Sequence, residues 1–168
     1  MTKLVPLSET YREKTVPRIA AFFAFHASLS GKPCAASEQR LAASEQTLFE
    51  WTGEDHELCV IMDGNVDAGF LHVGYRGGNV AWIEDIYVDA EKRGRGIASR
   101  AIAEAEKNIR ARKRYTAVCV DAVPGNAAAP APYRRLGYDI LSMITVRKEL
   151  NAHEKNRTVR LLGHDFLY

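Results

Sequence analysis

No apolar run in this 168-residue chain is long enough to cross a bilayer. The longest uncharged stretch, IAAFFAFHASLSG, lies between Arg18 and Lys32, and the opening MTKLVPLSETYREK has no signal-type apolar core. A cytoplasmic chain with no membrane partner is expected. Cysteine is scarce: Cys34, Cys59 and Cys119 are odd in number, widely spaced and without a C-x-x-C pair, which argues against a disulfide framework and a thiolate metal site. The five histidines contain neither an i, i+4 helical pair nor an H-E-x-x-H string, so no metal is expected. Neither sign of charge dominates. The 23 Lys and Arg against 21 Asp and Glu leave +2, too little for wholesale nucleic-acid binding. Repeats, low-complexity segments and linker-like shifts are missing as well, and the only proline-rich spot is the short PGNAAAPAP at 124–132. One domain over residues 1–168 follows, large enough to bury a core without staples.

What is present divides into elements. KLVPL reads as a short strand, and VPRIAAFFAFHASLSG as a helix with Pro17 near its start and Gly31 at its end. SEQRLAASEQTLFEWTG reads as a second helix with Leu41, Leu48 and Trp51 on one face. Three extended runs follow, ELCVIMDG, VDAGFLHVGYRGG and VAWIEDIYV, separated by DGN and GGN turns that predict an antiparallel meander. The period then changes to helical in IASRAIAEAEKNIRAR, and TAVCVD reads as a covered strand, parallel to its predecessor across the helix. A brief helix at YRRLG and strands at DILSMITVRKEL and TVRLLGHDFLY complete a mixed sheet. The last two strands form either a hairpin around NAHEKN or a pairing with a second subunit, so a homodimer stays open.

The turn RGRGIAS after the third meander strand suits phosphate. Glycines let backbone N–H groups converge, and a helix N-terminus adds unpaired donors and a favourable dipole. Arg93, Arg95 and Arg100 supply charge, within a run from Lys92 to Arg114 that holds nine basic residues against two acidic ones. Two other readings compete with it. One is an ordinary strand-to-helix turn behind a solvated helix face. The other is the dinucleotide fingerprint G-x-G-x-x-G, against which stand Ser99 in place of the third glycine, the intervening DAEKR and the antiparallel meander before it.

The string IYVDAEKRGRGIA resembles the acyl-CoA-binding signature of the GNAT superfamily of N-acyltransferases, R/Q-x-x-G-x-G/A, with Arg93, Gly96 and Ala98 at the pattern positions. A second segment, NAAAPAPYRRLGY, matches the family pattern N-x-x-A-x-x-x-Y-x-x-x-G-F/Y through Asn126, Ala129, Tyr133, Gly137 and Tyr138. With the order of elements, the resemblance covers nearly the whole chain, although the N-terminal helices match in type and not by motif. It implies an α/β (α+β mixed) GNAT fold: a mostly antiparallel central sheet of about seven strands with helices on both faces. It also implies acetyl-CoA as co-substrate. The pyrophosphate would be held by backbone N–H groups across Arg93, Gly94, Arg95, Gly96, Ile97, Ala98 and Ser99, and the pantetheine arm by the strand edge at Ile86, Tyr87 and Val88 and by Asn126.

Acyl transfer to an amine needs a neutral nucleophile, yet a lysine-like amine has a reference pKa of about 10.4 and arrives protonated. A base must take that proton, and an acid helps the thiolate leave. Glu84 is the candidate base. Strand alternation puts it with Val80, Trp82, Ile86 and Val88, apolar neighbours that would raise its pKa, and aims Asp85 the other way. A bulge of the kind this family carries would change either direction, and the competing reading is a carboxylate ion-paired with a neighbouring arginine. I-E-D-x-Y-V resembles family members that acetylate polyamines or aminoglycosides, so Glu84 and Asp85 are candidate contacts for a small cationic amine. Tyr133 matches the family's general acid, but Pro130 and Pro132 predict a helix that starts late or is distorted. Cys119 reads as core, and Phe22, Phe23, Phe25 and His26 as pocket candidates or, more simply, as core. The reading is an acetyl-CoA-dependent N-acetyltransferase working by direct attack in a ternary complex. A non-catalytic acyl-CoA sensor and a protein N-terminal or lysine acetyltransferase remain as alternatives.

Overall fold

The structure, a computed structural model, describes residues 1–29, 35–148, 150 and 157–167. These form two compact units, Met1–Asp121 and Ala122–Tyr168. Cys34, the predicted helix end at Gly31 and the NAHEKN connection lie outside the described residues.

The first unit is a five-stranded sheet in sequence order: β1 (Thr2–Pro6), β2 (His56–Asp63), β3 (Val66–Gly74), β4 (Val80–Val88) and β5 (Ala117–Val120). The first four strands pair antiparallel and β5 joins β4 in parallel. The DGN turn is a two-residue hairpin in which Gly64 takes φ 65°, the positive value such connections require. Between β1 and β2 come α1 (Glu9–Leu29) and α2 (Ser37–Glu50), and α3 (Ile97–Ala111) bridges β4 and β5.

The pleat sorts the core into two layers. Val16, Ile19 and Phe22 of α1 and Leu48 of α2 pack on Leu58 and Phe70, with Trp51 and Tyr87 against them. The strand residues of opposite parity, Cys59, Ile61, Leu71, Val73 and Ile83, are also buried, as is the stripe Ile97, Ala101, Ile102, Ala105 and Ile109 of α3. Helices therefore cover both faces, as the resemblance implied.

Several expectations need correcting. Helix α1 starts at Glu9, two turns before Pro17, which lies inside it. Its length and its buried face outweigh the one hydrogen bond that proline cannot make. Leu41 is exposed, and Ser44 joins Leu48 on the buried side of α2. Strand β5 is a half-buried edge, so Cys119 is half-buried and Cys59 is the core thiol. Among the described residues the central sheet has five strands, not about seven. Residues 139–148 carry no strand, and TVRLLGHDFLY is itself a hairpin of β6 (Thr158–Leu161) and β7 (His164–Leu167). Its turn residues Leu162 and Gly163 both take positive φ, 50° and 84°, as a type I′ connection requires.

Candidate active site

Strand β4 positions the candidate site. Strand β5 pairs only with Val80–Ile83, so from Glu84 to Val88 that edge of β4 has no strand beside it among the described residues. Its outward N–H and C=O groups, apart from the Val88 carbonyl, which Arg93 holds, are available to an extended ligand. Beyond Val88 a 3-10 turn at Ala90–Lys92 leads into Gly94 and Gly96, at φ 75° and 70°. That left-handed backbone is where glycine is needed. Gly96 precedes α3 and no side chain caps the helix, so the first-turn N–H groups of Ile97, Ala98 and Ser99 meet no partner within it. Such a cradle fits a phosphate.

The arginines divide their work. Arg95 is exposed, its Nη2 donating to the Glu91 carbonyl at 3.2 Å. Arg93 donates from Nε to the Val88 carbonyl at 2.9 Å, and its guanidinium lies 5.2 Å and 5.8 Å from the rings of Tyr87 and Phe25. Arg100, expected to add charge at the phosphates, is a strut instead. Its Nε donates to Thr2 Oγ1 at 2.8 Å, Nη1 to the Arg95 carbonyl at 2.9 Å, and Nη2 lies 3.4 Å from Asp63.

A half-buried ion-pair cluster anchors the start of the turn. Arg18 on α1 forks onto Asp89 at 2.8 and 2.7 Å and reaches Asp67 at 2.9 Å; Lys92 closes on Asp89 at 2.8 Å and Lys14 on Asp67 at 3.2 Å. Burial alone would raise both carboxyls. Hydrogen bonds and charge from these cations outweigh it and hold Asp67 and Asp89 below the usual carboxylate range.

The acid pair is arranged differently from the expectation. Val73 pairs with Ile83 but His72 pairs with Asp85, which leaves Glu84 as the extra residue of a β-bulge. The bulge shifts the alternation by one. Trp82, Glu84, Asp85 and Tyr87 therefore share the α1/α2 face, while Ile86 and Val88 turn to the other. Glu84 does not have the apolar surroundings expected of it. It lies across Gly74, where a Cβ would stand 2.2 Å from Glu84 Oε1. Arg76 forks onto it, with Nε 2.7 Å from Oε1 and Nη2 bonded to Oε2. The same guanidinium stacks over Trp82 at 4.1 Å and lies 3.5 Å from Asp121.

Asp85 has other partners. Its Oδ2 meets His72 Nδ1 at 2.9 Å, and His72 Nε2 meets His56 Nδ1 at 2.9 Å. His72 is only 2% exposed and lies against the Trp51 ring, with centroids 4.4 Å apart. On α1, Phe22 is core, whereas Phe23 and Phe25 are about two-fifths exposed and Phe25 faces Arg93. The His26 ring lies tilted by 40° against Phe22, with centroids 4.2 Å apart; burial lowers its pKa, and the Asp85 charge partly opposes that.

In the second unit, the helix carrying Tyr133 runs from Pro130 to Arg135 as α4, and starts earlier than the expected YRRLG. Both prolines sit in its first turn, where a missing N–H costs nothing, and Ala129 is already right-handed helical. The helix stops in a Schellman motif. Tyr138 N–H donates to Tyr133 O at 3.1 Å and Gly137 N–H to Arg134 O at 3.1 Å, with Gly137 at φ 92°. Asn126 opens a turn, accepting the Ala129 N–H at 3.0 Å.

The Acetyltransferase (GNAT) family model matches residues 23–138. This chain belongs to the GNAT acetyltransferase family. No curated protein is similar enough in sequence to count as a relative. Among solved structures, the GNAT chain resembles YycN of Bacillus subtilis (18% identity, 90% of this chain and 100% of that one, TM-score 0.66). It also resembles the aminoglycoside N-acetyltransferase AAC(6′)-Iy in complex with CoA (19%, 90% and 96%, TM-score 0.63). A third is the aminoglycoside acetyltransferase meta-AAC0020 from an uncultured soil metagenomic sample, in complex with sisomicin (17%, 90% and 97%, TM-score 0.56). These likenesses support the fold.

Sequence reasoning about this GNAT domain missed Arg76, His72, His56 and the Arg18 cluster. Counting back from the GGN turn could have placed His72 opposite Glu84, one residue from its true partner. Only the bulge moves it to Asp85. No helix among the described residues is long and apolar enough to cross a membrane, and no group among them could hold a metal ion.

Proposed function

We propose that this protein transfers the acetyl group of acetyl-CoA to a primary amine of a small cationic molecule, polyamine- or aminoglycoside-like, by direct attack in a ternary complex. The observation that carries this reading is the layout of β4. One strand offers a free edge, ends in an anion-cradling turn, and presents Glu84 and Asp85 on a single face. In this reading the first-turn N–H groups after Gly96 take the pyrophosphate, the edge at Ile86, Tyr87 and Val88 carries the pantetheine arm, and Asn126 holds that arm. Asp85 draws the ammonium. Glu84 takes the proton as the N–C bond forms, once a cationic acceptor has displaced the Arg76 guanidinium from it, and Tyr133 protonates the departing sulfur. Phe25, exposed beside Arg93, is a pocket wall.

Release of CoA thiol, measured with spermidine, sisomicin and a lysine peptide as acceptors, tests the assignment. Saturable turnover with a polycationic small molecule is expected, and Glu84→Gln should abolish the acid limb of its pH profile. The competing reading is a non-catalytic acyl-CoA sensor, favoured by the Arg76 fork that already neutralises Glu84. Saturable acetyl-CoA binding with no acceptor-dependent release would establish it in place of the enzyme. Turnover with the lysine peptide alone would move the acceptor to proteins.

A further inference from the structure

Three polar side chains in series run from the acceptor face of β4 toward the surface: Asp85, His72 and His56. His72, in the middle, is almost wholly buried, and both of its ring nitrogens are used. A carboxylate can only accept, so His72 Nδ1 carries the hydrogen that Asp85 receives. In the neutral ring, His72 Nε2 then has the lone pair that takes the hydrogen of His56 Nδ1. The tautomer of each ring is thus set by the next group inward. His56 is exposed and borders a cleft of about 390 Å³ shared with Asp55, Tyr75 and Arg76. Trp51 stacks on His72 with an interplanar angle of 19° and fixes the ring plane.

We propose that His72, locked by His56 and Trp51, is the positioning residue that holds Asp85 with one oxygen pinned and the other turned to the acceptor. It would thereby set the preference for cationic over neutral amines. The inference rests on the amine-acetyltransferase reading above. Its physical basis is the bulge. Without the extra residue, His72 would oppose Glu84, whose two oxygens are already held by Arg76. With it, His72 meets Asp85, which is 19% exposed, enough for one oxygen to reach a ligand while the other is tied down. The charged and titratable groups facing this pair are His26 from α1, His56 from β2, and Glu84 with its Arg76 fork. Among the described residues the Asp85 carboxylate is thus bonded to a histidine and to no arginine or lysine, and it keeps its attraction for an incoming ammonium.

Two substitutions separate positioning from packing. His72→Asn keeps an N–H where Nδ1 was, and His72→Leu keeps bulk without a donor. With spermidine as acceptor, His72→Leu should raise the acceptor KM about tenfold, the equivalent of about 1.4 kcal/mol, while the acetyl-CoA KM stays within about twofold. His72→Asn should recover most of that loss. If both variants lower kcat alike, or leave the acceptor KM unchanged, His72 is a packing residue and the proposal falls. Nitrogen-15 NMR of labelled histidines covers the case in which a variant does not fold or no acceptor turns over. In the wild-type protein His72 should be protonated at Nδ1, Asp85→Asn should shift that signal, and spermidine should move it as well. An Nε2-protonated His72, or a signal indifferent to both Asp85→Asn and spermidine, overturns the inference. Absence of turnover with the NMR signature intact would count against the enzyme reading alone.

Discussion

Replacing Arg18 with methionine keeps most of the apolar stem and removes the charge that joins α1 to β3 and to the segment after β4. Arg18, Asp67 and Asp89 are each only 12–16% exposed, so their attraction is little screened by solvent. Stripping one partner from a buried pair costs about 3–5 kcal/mol. Here Lys92 stays on Asp89 and Lys14 on Asp67, so neither carboxylate is orphaned, and about 2–3 kcal/mol is the better figure. At about 2–4 °C per kcal/mol for a chain of this size, Tm should fall by about 4–12 °C. The pH dependence has a definite sign. Both carboxyls are held below their unfolded values, so their contribution is fully present above about pH 4 to 5 and is lost as pH falls through the depressed folded values. The deficit of Arg18→Met relative to wild type should therefore be widest near pH 7 and shrink below about pH 4. Thermal unfolding followed by circular dichroism at pH 7, 5 and 3 measures it. Since the cluster also ties down the start of the glycine turn, acetyl-CoA affinity should weaken in the variant. A Tm change under about 1 °C, or a deficit equal at all three pH values, would refute the account.

Gly69→Ala should be more damaging than its size suggests. A Cβ there would stand 1.9 Å from the Tyr87 carbonyl oxygen, which is backbone and cannot swing aside, so β3 and β4 must part. A loss of at least about 3 kcal/mol in urea unfolding is expected, and a near-neutral result would contradict the strand geometry. Cys59 should resist iodoacetamide at pH 8. Burial first, then the neighbouring Glu57, pushes its thiol up to about 12, so almost no thiolate is present until the protein unfolds. Peptide mapping that finds Cys59 alkylated in the folded protein would show that the β2 core is not closed.

Much of this molecule is legible along the chain because the signals are local. Period-two runs separated by DGN and GGN define the meander, the period change at Ile97 defines α3, and glycines at Gly94, Gly96 and Gly137 mark backbone that only glycine takes readily. The two family motifs are of the same kind, since each describes one turn or one short helix with its neighbours in sequence. Where local signals compete with packing, the reading slips. Pro17 suggests a helix start, yet the buried face of α1 continues on both sides of it. The alternating apolar residues at 139–148 suggest a strand that is not formed.

The chemistry around the acids is different in kind. That Glu84 and Asp85 lie next to the anion-cradling turn follows from sequence alone, because seven residues of strand and turn separate Asp85 from Arg93. Which way each carboxylate faces depends on a single extra residue in the β4 ladder, and no pattern in β4 itself records it. Arg76 on Glu84, His72 on Asp85 and Arg18 on Asp89 join positions 8, 13 and 71 residues apart. Such pairings are set by strand register and by how a helix crosses a sheet, so they exist only once the chain has folded.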